Sequence, residues 1–212
     1  WQDYYSAIYR ANTILAKIEE AEIEAVPNKE RYIGEARFLR ALAYFDLVRI
    51  FGAVPAVTTP VSIEGSYRVP REPVENVYET IIIPDFIAAE SALPAKCSGD
   101  EVGRATSGAA KSLLGRVYLT KGDFLNAESK LKEVTTMGYQ LLANYEDLFD
   151  YTKSEHHSEY IFDIEYQSGI GEGSTFTTAF FPNFSEMNEF FNITGAGQEY
   201  NLSLIHISEP TR

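Results

Sequence analysis

Apolar positions recur at helical spacing through most of residues 1–138. The densest stretch is Gly34 to Pro55, GEARFLRALAYFDLVRIFGAVP. Ala36, Leu39, Ala43, Leu47 and Ile50 follow one another three or four residues apart, which is one face of a helix. Phe38, Leu42 and Phe45 form a second stripe, and Tyr44, Val48 and Phe51 a third. A helix apolar nearly all round is buried on several sides, so this stretch is expected to be the central helix. Gly34, Ala36, Ala41 and Ala43 are small enough to let neighbours approach. Asp46 and Arg49 are spaced to pair on one turn, Gly52 stands at a helix end, and Pro55 bars continuation.

The flanking segments read in the same way. Trp1 to Ala21 is expected to be a helix with Ile8, Ala11, Leu15 and Ile18 on its core face, opened by Tyr4 and Tyr5. Asn12 lies beside that face and, if buried, must be hydrogen-bonded, either to a neighbouring turn or to a ligand. Pro27 and Asn28 turn the chain into the central helix, making a helical hairpin. Ala53 to Glu72 reads as a long loop carrying Pro55, Pro60 and Pro70. Within it Tyr67 and Arg68 offer a stacking ring and a donor to a ligand, or else simply pack as a surface crossover.

Pro73 opens a third helix with Val74, Val77, Tyr78, Ile81 and Ile82 inward. Pro84 is expected to kink it, Phe86, Ala89 and Leu93 resume the face, and Pro94 ends it. Thr106 to Lys121 is a fourth helix, on Ala110, Leu113, Leu114, Val117 and Tyr118. Phe124, Ala127, Leu131 and Val134 mark a fifth, with Gly138 as its cap. Leu114-Gly115, Tyr118, Gly122 and Ala127 follow the tetratricopeptide spacing L-G-x2-Y…A. Gly115 and Ala127 suit a close helix crossing, and Lys111 and Leu131 replace the pattern's Trp and Phe. Beyond these helices Leu141, Leu142, Tyr145, Leu148 and Phe149 read as anchors of an irregular stretch. Tyr160 to Tyr166 alternates like a half-buried strand. Thr175 to Asn201 reads as loop.

Composition narrows the chemistry. The net charge of −13 argues against nucleic acid or an anionic membrane surface as partner. No apolar run is long enough to span a bilayer as a helix. Cys97 is the single cysteine, so no disulfide framework or cysteine metal site exists in this sequence, and the residue reads as an inert thiol. Glu155, His156, His157 and Glu159 form a His–carboxylate cluster that reads as a solvated loop rather than a metal site. Gly169, Gly171 and Gly173 lack the following helix that a phosphate loop needs. Asn183 and Asn192 begin glycosylation sequons, a frequent chance match. No catalytic motif, metal or cofactor is expected. Leu202 to Arg212, LSLIHISEPTR, reads in frame as a translated transposon-end sequencing adaptor, the plain alternative being a short β-segment. It is set aside from the fold, and the natural protein is expected to continue past Asn201.

Several stretches together resemble the SusD/RagB family. They are YYSAIYRANTIL, GEARFLRALAYFDLVRIFGAVPAVT, the Arg71–Pro94 helix ending ALP, ATSGAAKSLLGRVYLTKGDFLNAESKLKEV, NYEDLF and SEYIFDIEY. The resemblance implies a mainly α fold, tetratricopeptide-like helical hairpins in a right-handed α-superhelix, with a loop-rich C-terminal part cut short here. Residues 1–150 would be the helical region, 151–201 the start of the loop-rich part and 202–212 the adaptor tail. It also implies a surface lipoprotein of the Bacteroidota outer membrane. Such a protein is held by an N-terminal lipid anchor not in this sequence. It binds an oligosaccharide or other nutrient, passes it to a SusC-like barrel transporter and is not an enzyme. The competing expectation is a tetratricopeptide scaffold that binds only proteins. Candidate ligand residues are Tyr67 with Arg68, and then Trp1.

Overall fold

Helix α1 spans Gln2–Glu20 and α2 spans Lys29–Phe51. The computed structural model describes residues 1–20, 27–148 and 157–164, and Trp1–Asp163 make up one unit of it. Helix α2 begins a turn before Gly34, and it ends at Gly52, whose φ of 71° closes the helix while its N–H donates to Val48 O at 3.0 Å. Phe38, Ala41, Tyr44 and Leu47 have no accessible surface. The chain around α2 explains this: α1 and α5 pack against it, and the strand that follows it folds back on it.

Helix α2 is buried on several sides, as expected, but not all of the Ala36–Ile50 stripe is covered. Leu39 is 50% exposed and Ile50 58%, and Phe51 is exposed as well. Helices α1 and α5 cover two sides of α2, and nothing among the described residues covers the third. Arg40, by contrast, is buried within α2.

The segment after α2 is more ordered than a plain loop. Val54–Pro55 (β1) pairs antiparallel with Arg71–Glu72 (β2), with Val54 opposite Glu72 and Pro55 opposite Arg71. This two-stranded ladder closes the base of the excursion. A single helical turn, α3 (Ile63–Ser66), sits within it, its Gly65 N–H donating to the Ser62 hydroxyl at 3.1 Å.

Helix α4 (Val74–Val77) runs through a π turn (Tyr78–Ile82) into α5 (Ile83–Ala92). The π turn accommodates Pro84, which has no N–H to give the preceding turn. The last N–H before it, on Ile83, reaches back five residues to Tyr78 O. The apolar face survives the register change, since Val77, Ile81, Ile82, Phe86 and Ala89 are all buried.

Helices α6 (Ser107–Lys121) and α7 (Phe124–Thr135) form the hairpin that the tetratricopeptide spacing indicates. The Thr106 hydroxyl accepts from Ala109 N–H at the start of α6, and Asp123 caps α7 by accepting from Asn126 N–H. Gly115 faces Leu131: a Cβ built there would stand 2.7 Å from the leucine side chain. Ala127 is buried at the same crossing. Two readings are corrected. Phe124 is 66% exposed and Leu131 sits at the edge of the hairpin, so the α7 stripe is buried only at Ala127 and Val134. The helix ends at Thr135 with Thr136 as its cap, and Gly138 belongs to the turn beyond.

The segment after α7 departs further from expectation. Leu141 and Tyr145 are exposed rather than buried, and Phe149 lies outside the described residues. No ladder forms over residues 160–164, and 165–166 lie outside the described residues. Adjacent Ile161 and Phe162 both pack partly against the core, which an alternating strand does not do. Phe162 meets Phe38 edge to face at 4.9 Å. The chain is pinned nearby by Gln140 N–H donating to Ser158 O at 3.0 Å and Leu142 N–H to Glu159 Oε2 at 2.8 Å. The Gly169–Gly173 stretch, the sequons and the proposed adaptor tail all lie outside the described residues.

Candidate functional site

A groove of about 640 Å³ runs between α1 and the excursion that β1 and β2 close. Tyr5, Ile8, Tyr9 and Asn12 line it from α1, with Trp1 just ahead of the helix. Their spacing of three or four residues sets them on one helix face. Val57, Thr59 and Val61 line the opposite wall, and Ser62, Ser66 and Tyr67 close the far end. Among the described residues no charged side chain lines the groove, and those that do line it offer aromatic rings, methyl groups and hydroxyls. The volume is that of an ordinary small-molecule site.

Of the sequence candidates, Trp1 and Tyr67 meet in this groove, and Arg68 is not among its lining residues. Tyr67 is 85% exposed, so its ring is available to stack. Trp1 is held in place: Tyr5 lies 5.1 Å away, Phe51 meets it edge on at 4.8 Å, and the Arg71 guanidinium lies 5.9 Å from its ring. Periodicity alone assigned Tyr5 to opening the helix. Tyr9, on the outer side of α1, was not singled out at all.

Beneath the groove lies a buried polar network. The Arg40 guanidinium donates through Nε and Nη2 to both Asp85 oxygens, at 2.7 and 2.9 Å. Its Nη1 donates to Asn12 Oδ1 at 2.7 Å and Thr58 O at 3.1 Å. Asn12 Nδ2 donates to Val57 O at 2.9 Å. The buried asparagine is therefore satisfied within the fold. Val57 N–H donates to the Tyr44 hydroxyl at 2.6 Å, and that hydroxyl donates back to Val57 O at 2.9 Å. Burial pushes the Tyr44 phenol up to about 12. Burial, with Tyr44 beside it, also raises Tyr5, whose hydroxyl donates to Pro55 O at 2.8 Å.

The remaining sequence candidates lie apart from this groove's lining. His157 stacks on Tyr160 at 3.9 Å, its Nδ1 accepting from Glu159 N–H, while Glu155 and His156 lie outside the described residues. Cys97 accepts from Arg31 at 3.6 Å. Among the described residues no group of three His, Cys, Asp or Glu is placed to hold a metal, and no helix is long and apolar enough to cross a membrane.

Residues 1–119 match a SusD-like family described as starch-binding and associating with the outer membrane. The chain belongs to the SusD-like family. A SusD-like protein of Bacteroides ovatus is 33% identical over 171 residues, covering 71% of this chain and 30% of that protein. SusD-like protein P25 of Formosa agariphila is 26% identical, covering 80% of this chain and 32% of its own length. The chain thus spans about a third of the length of these curated relatives. A laminarin-binding SusD-like protein superposes with a TM-score of 0.77 at 32% identity, over 84% of this chain and 42% of that one. A structure determined with xylogluco-oligosaccharide gives 0.66 at 30% identity, over 79% and 35%. The mainly helical hairpin fold is that of the SusD-like proteins. The SusD-like match takes in the whole groove, since all its lining residues fall between Trp1 and Val69.

The Arg40–Asp85 pair is what sequence reasoning missed. Arg40 reads as one of several polar residues scattered round α2. Asp85 lies amid Ile81, Ile82, Phe86 and Ala89, a polar residue inside an apolar run. Two opposite charges lodged in apolar helix segments were the available signal.

Proposed function

We propose that this SusD-like protein captures neutral oligosaccharides at the bacterial outer-membrane surface. It then passes them, uncleaved, to a SusC-like barrel transporter. The groove between α1 and the β1–β2 excursion is the part of the ligand site that this chain supplies, with Tyr67 and Trp1 as its sugar-facing rings. The observation that carries the reading is the uncharged, aromatic lining of that groove in a chain of this family. Pyranose rings present apolar C–H faces that stack on aromatic side chains, and hydroxyls that hydrogen-bond to Ser, Thr and Tyr. A uronate carboxylate would lose its water there with no lining cation to receive it. Residues 1–150 serve as the helical scaffold, 151–201 begin the loop-rich part, and 202–212 are a non-native tail. Attachment is through a lipid anchor ahead of Trp1.

A second reading, a tetratricopeptide scaffold that binds only proteins, is favoured by one feature. Leu119, Phe124 and Leu125 are exposed together about the α6–α7 turn. Affinity electrophoresis of the full-length protein against laminarin, xyloglucan and polygalacturonate, with product analysis, separates the readings. Retardation by a neutral glycan without shortened products is expected, with at least tenfold weaker retention for Tyr67→Ala. Release of shorter sugars would make the protein an enzyme. Retention by no glycan would favour the scaffold.

A further inference from the structure

The wall of the groove is irregular chain, yet side chains bond four of its backbone groups: Pro55 O, Val57 N–H, Val57 O and Thr58 O. The β1–β2 ladder reaches only Val54 and Pro55. Beyond it the chain continues through Ala56, Val57, Thr58 and Thr59 with no strand beside it among the described residues. Backbone polar groups withdrawn from water need partners, and here side chains supply them. Tyr5 donates to Pro55 O, Asn12 to Val57 O and Arg40 to Thr58 O, while Tyr44 takes both the N–H and the C=O of Val57. These residues come from α1 and α2. Asp85, on α5, has no hydrogen bond to the segment, but it fixes the fork of Arg40 through both carboxylate oxygens.

We infer that Arg40, clamped by Asp85, is a positioning residue for the ligand groove, setting where the wall at Val57 and Thr59 stands relative to α1. The inference rests on the groove being the ligand site. Its structural core is separate, because it predicts how the wall behaves with no ligand present. Arginine is needed for a geometric reason. One planar group must meet two carboxylate oxygens with one edge and an amide and a backbone carbonyl with the other. A lysine ammonium at this position keeps the charge opposite Asp85 but is too compact to reach Asn12 and Thr58 as well. Arg40→Lys therefore leaves the charge pair and releases the wall. Tyr44→Phe removes the other grip on Val57 while keeping the ring in the core, and Tyr44 does not line the groove.

Hydrogen exchange on this chain tests the inference, with residues 108–117 of α6 as the internal reference. In Arg40→Lys, exchange of the peptide covering 55–59 should rise at least tenfold while the reference is unchanged. A purely structural role would speed both together, because the whole fold would open more often. Tyr44→Phe, which frees the Val57 N–H directly, shows how large that rise can be, and Arg40→Met/Asp85→Leu, which strands no charge, is the decisive variant if Arg40→Lys does not fold. Equal acceleration in both regions, or none at 55–59, overturns the inference. The full-length Arg40→Lys protein is then titrated with laminarin and xyloglucan oligosaccharides. At least tenfold weaker binding, in step with local exchange, supports positioning of the ligand site. Faster exchange at 55–59 with unaltered binding overturns the link to the ligand. If Tyr67→Ala also binds normally, the fault lies with the choice of groove. If Tyr67→Ala binds poorly, it lies with Arg40 alone.

Discussion

Helices α2 and α7 both present leucines at helical spacing, and the structure treats them oppositely. In α2 even an arginine is buried, and Phe38, Tyr44 and Leu47 are sealed. In α7 Phe124 and Leu125 stand in solvent and Leu131 is partly open. Among the described elements, α2 is flanked by α1, α5 and β1, whereas α7 packs on α6. Amphipathic spacing states which residues share a face. The number of neighbours decides whether that face is covered. The same rule explains why Leu39 and Ile50 are exposed on a helix whose other stripes are mostly buried.

The sharpest break in that comparison is electrostatic. Arg40→Met should leave Asp85 buried without its bidentate partner and cost about 3–5 kcal/mol. Arg37 Nη1, 3.8 Å from Asp85 Oδ1, is too distant to replace that fork. The double variant Arg40→Met/Asp85→Leu should recover most of the loss, since no charge is then stranded. Urea unfolding followed by circular dichroism measures both. A cost under about 1 kcal/mol for the single variant would show that α2 admits water, and that it differs from α7 less than the structure indicates.

Apolar truncations probe the same contrast at smaller scale. Leu47→Ala should cost about 2–5 kcal/mol, because a sealed site cannot collapse to fill the cavity. Phe124→Ala, on the open side of α7, should cost less than about 1 kcal/mol. If thermal or urea unfolding gives equal losses, the α7 face is covered in solution and the comparison fails. A loss below about 0.5 kcal/mol at Leu47 would instead remove α2 from the core.

These residues also mark how far the sequence could be read. The helical rods, the Gly52 stop, the Asp46–Arg49 pair (3.4 Å) and the α6–α7 crossing at Gly115 were all legible, because each depends on local spacing. Leu39, Ile50, Phe124 and Leu141 were misplaced, because their burial depends on neighbours that spacing does not reveal. The strand expected at Tyr160–Tyr166 needed a partner edge, and Phe162 packs on Phe38 instead. Tyr67 was legible as a loop aromatic and Trp1 as a second candidate, but not their place in one groove, since sixty-six positions separate them. Asn12 was recognised as needing a partner. That the partner would be Arg40, itself held by Asp85 on another helix, required the tertiary fold.

The smallest expected effect concerns how α7 stays attached while so little of it is buried. Glu133 on α7 pairs with Lys111 on α6, and Lys130 adds bonds to Glu133 at 3.3 Å and to Glu90 on α5 at 2.7 Å. The hydrogen bond from Lys111 is the main cause holding the Glu133 carboxyl below its ordinary value of 4.5. A carboxyl depressed in the folded state stabilises the fold at neutral pH, above its unfolded value. That contribution fades as the pH falls from about 5 through the folded value, where both states are protonated. Because the pair is partly solvated, its worth is about 0.5 kcal/mol and should shrink in salt. Glu133→Gln should therefore melt slightly below the parent at pH 7 in low salt, and the gap should close towards pH 3. Leu47→Ala should keep its deficit across the same range, since no proton is involved. An acid-independent gap for Glu133→Gln would mean that the side chain acts by packing. The hairpin would then be held, like α2, by its neighbours alone.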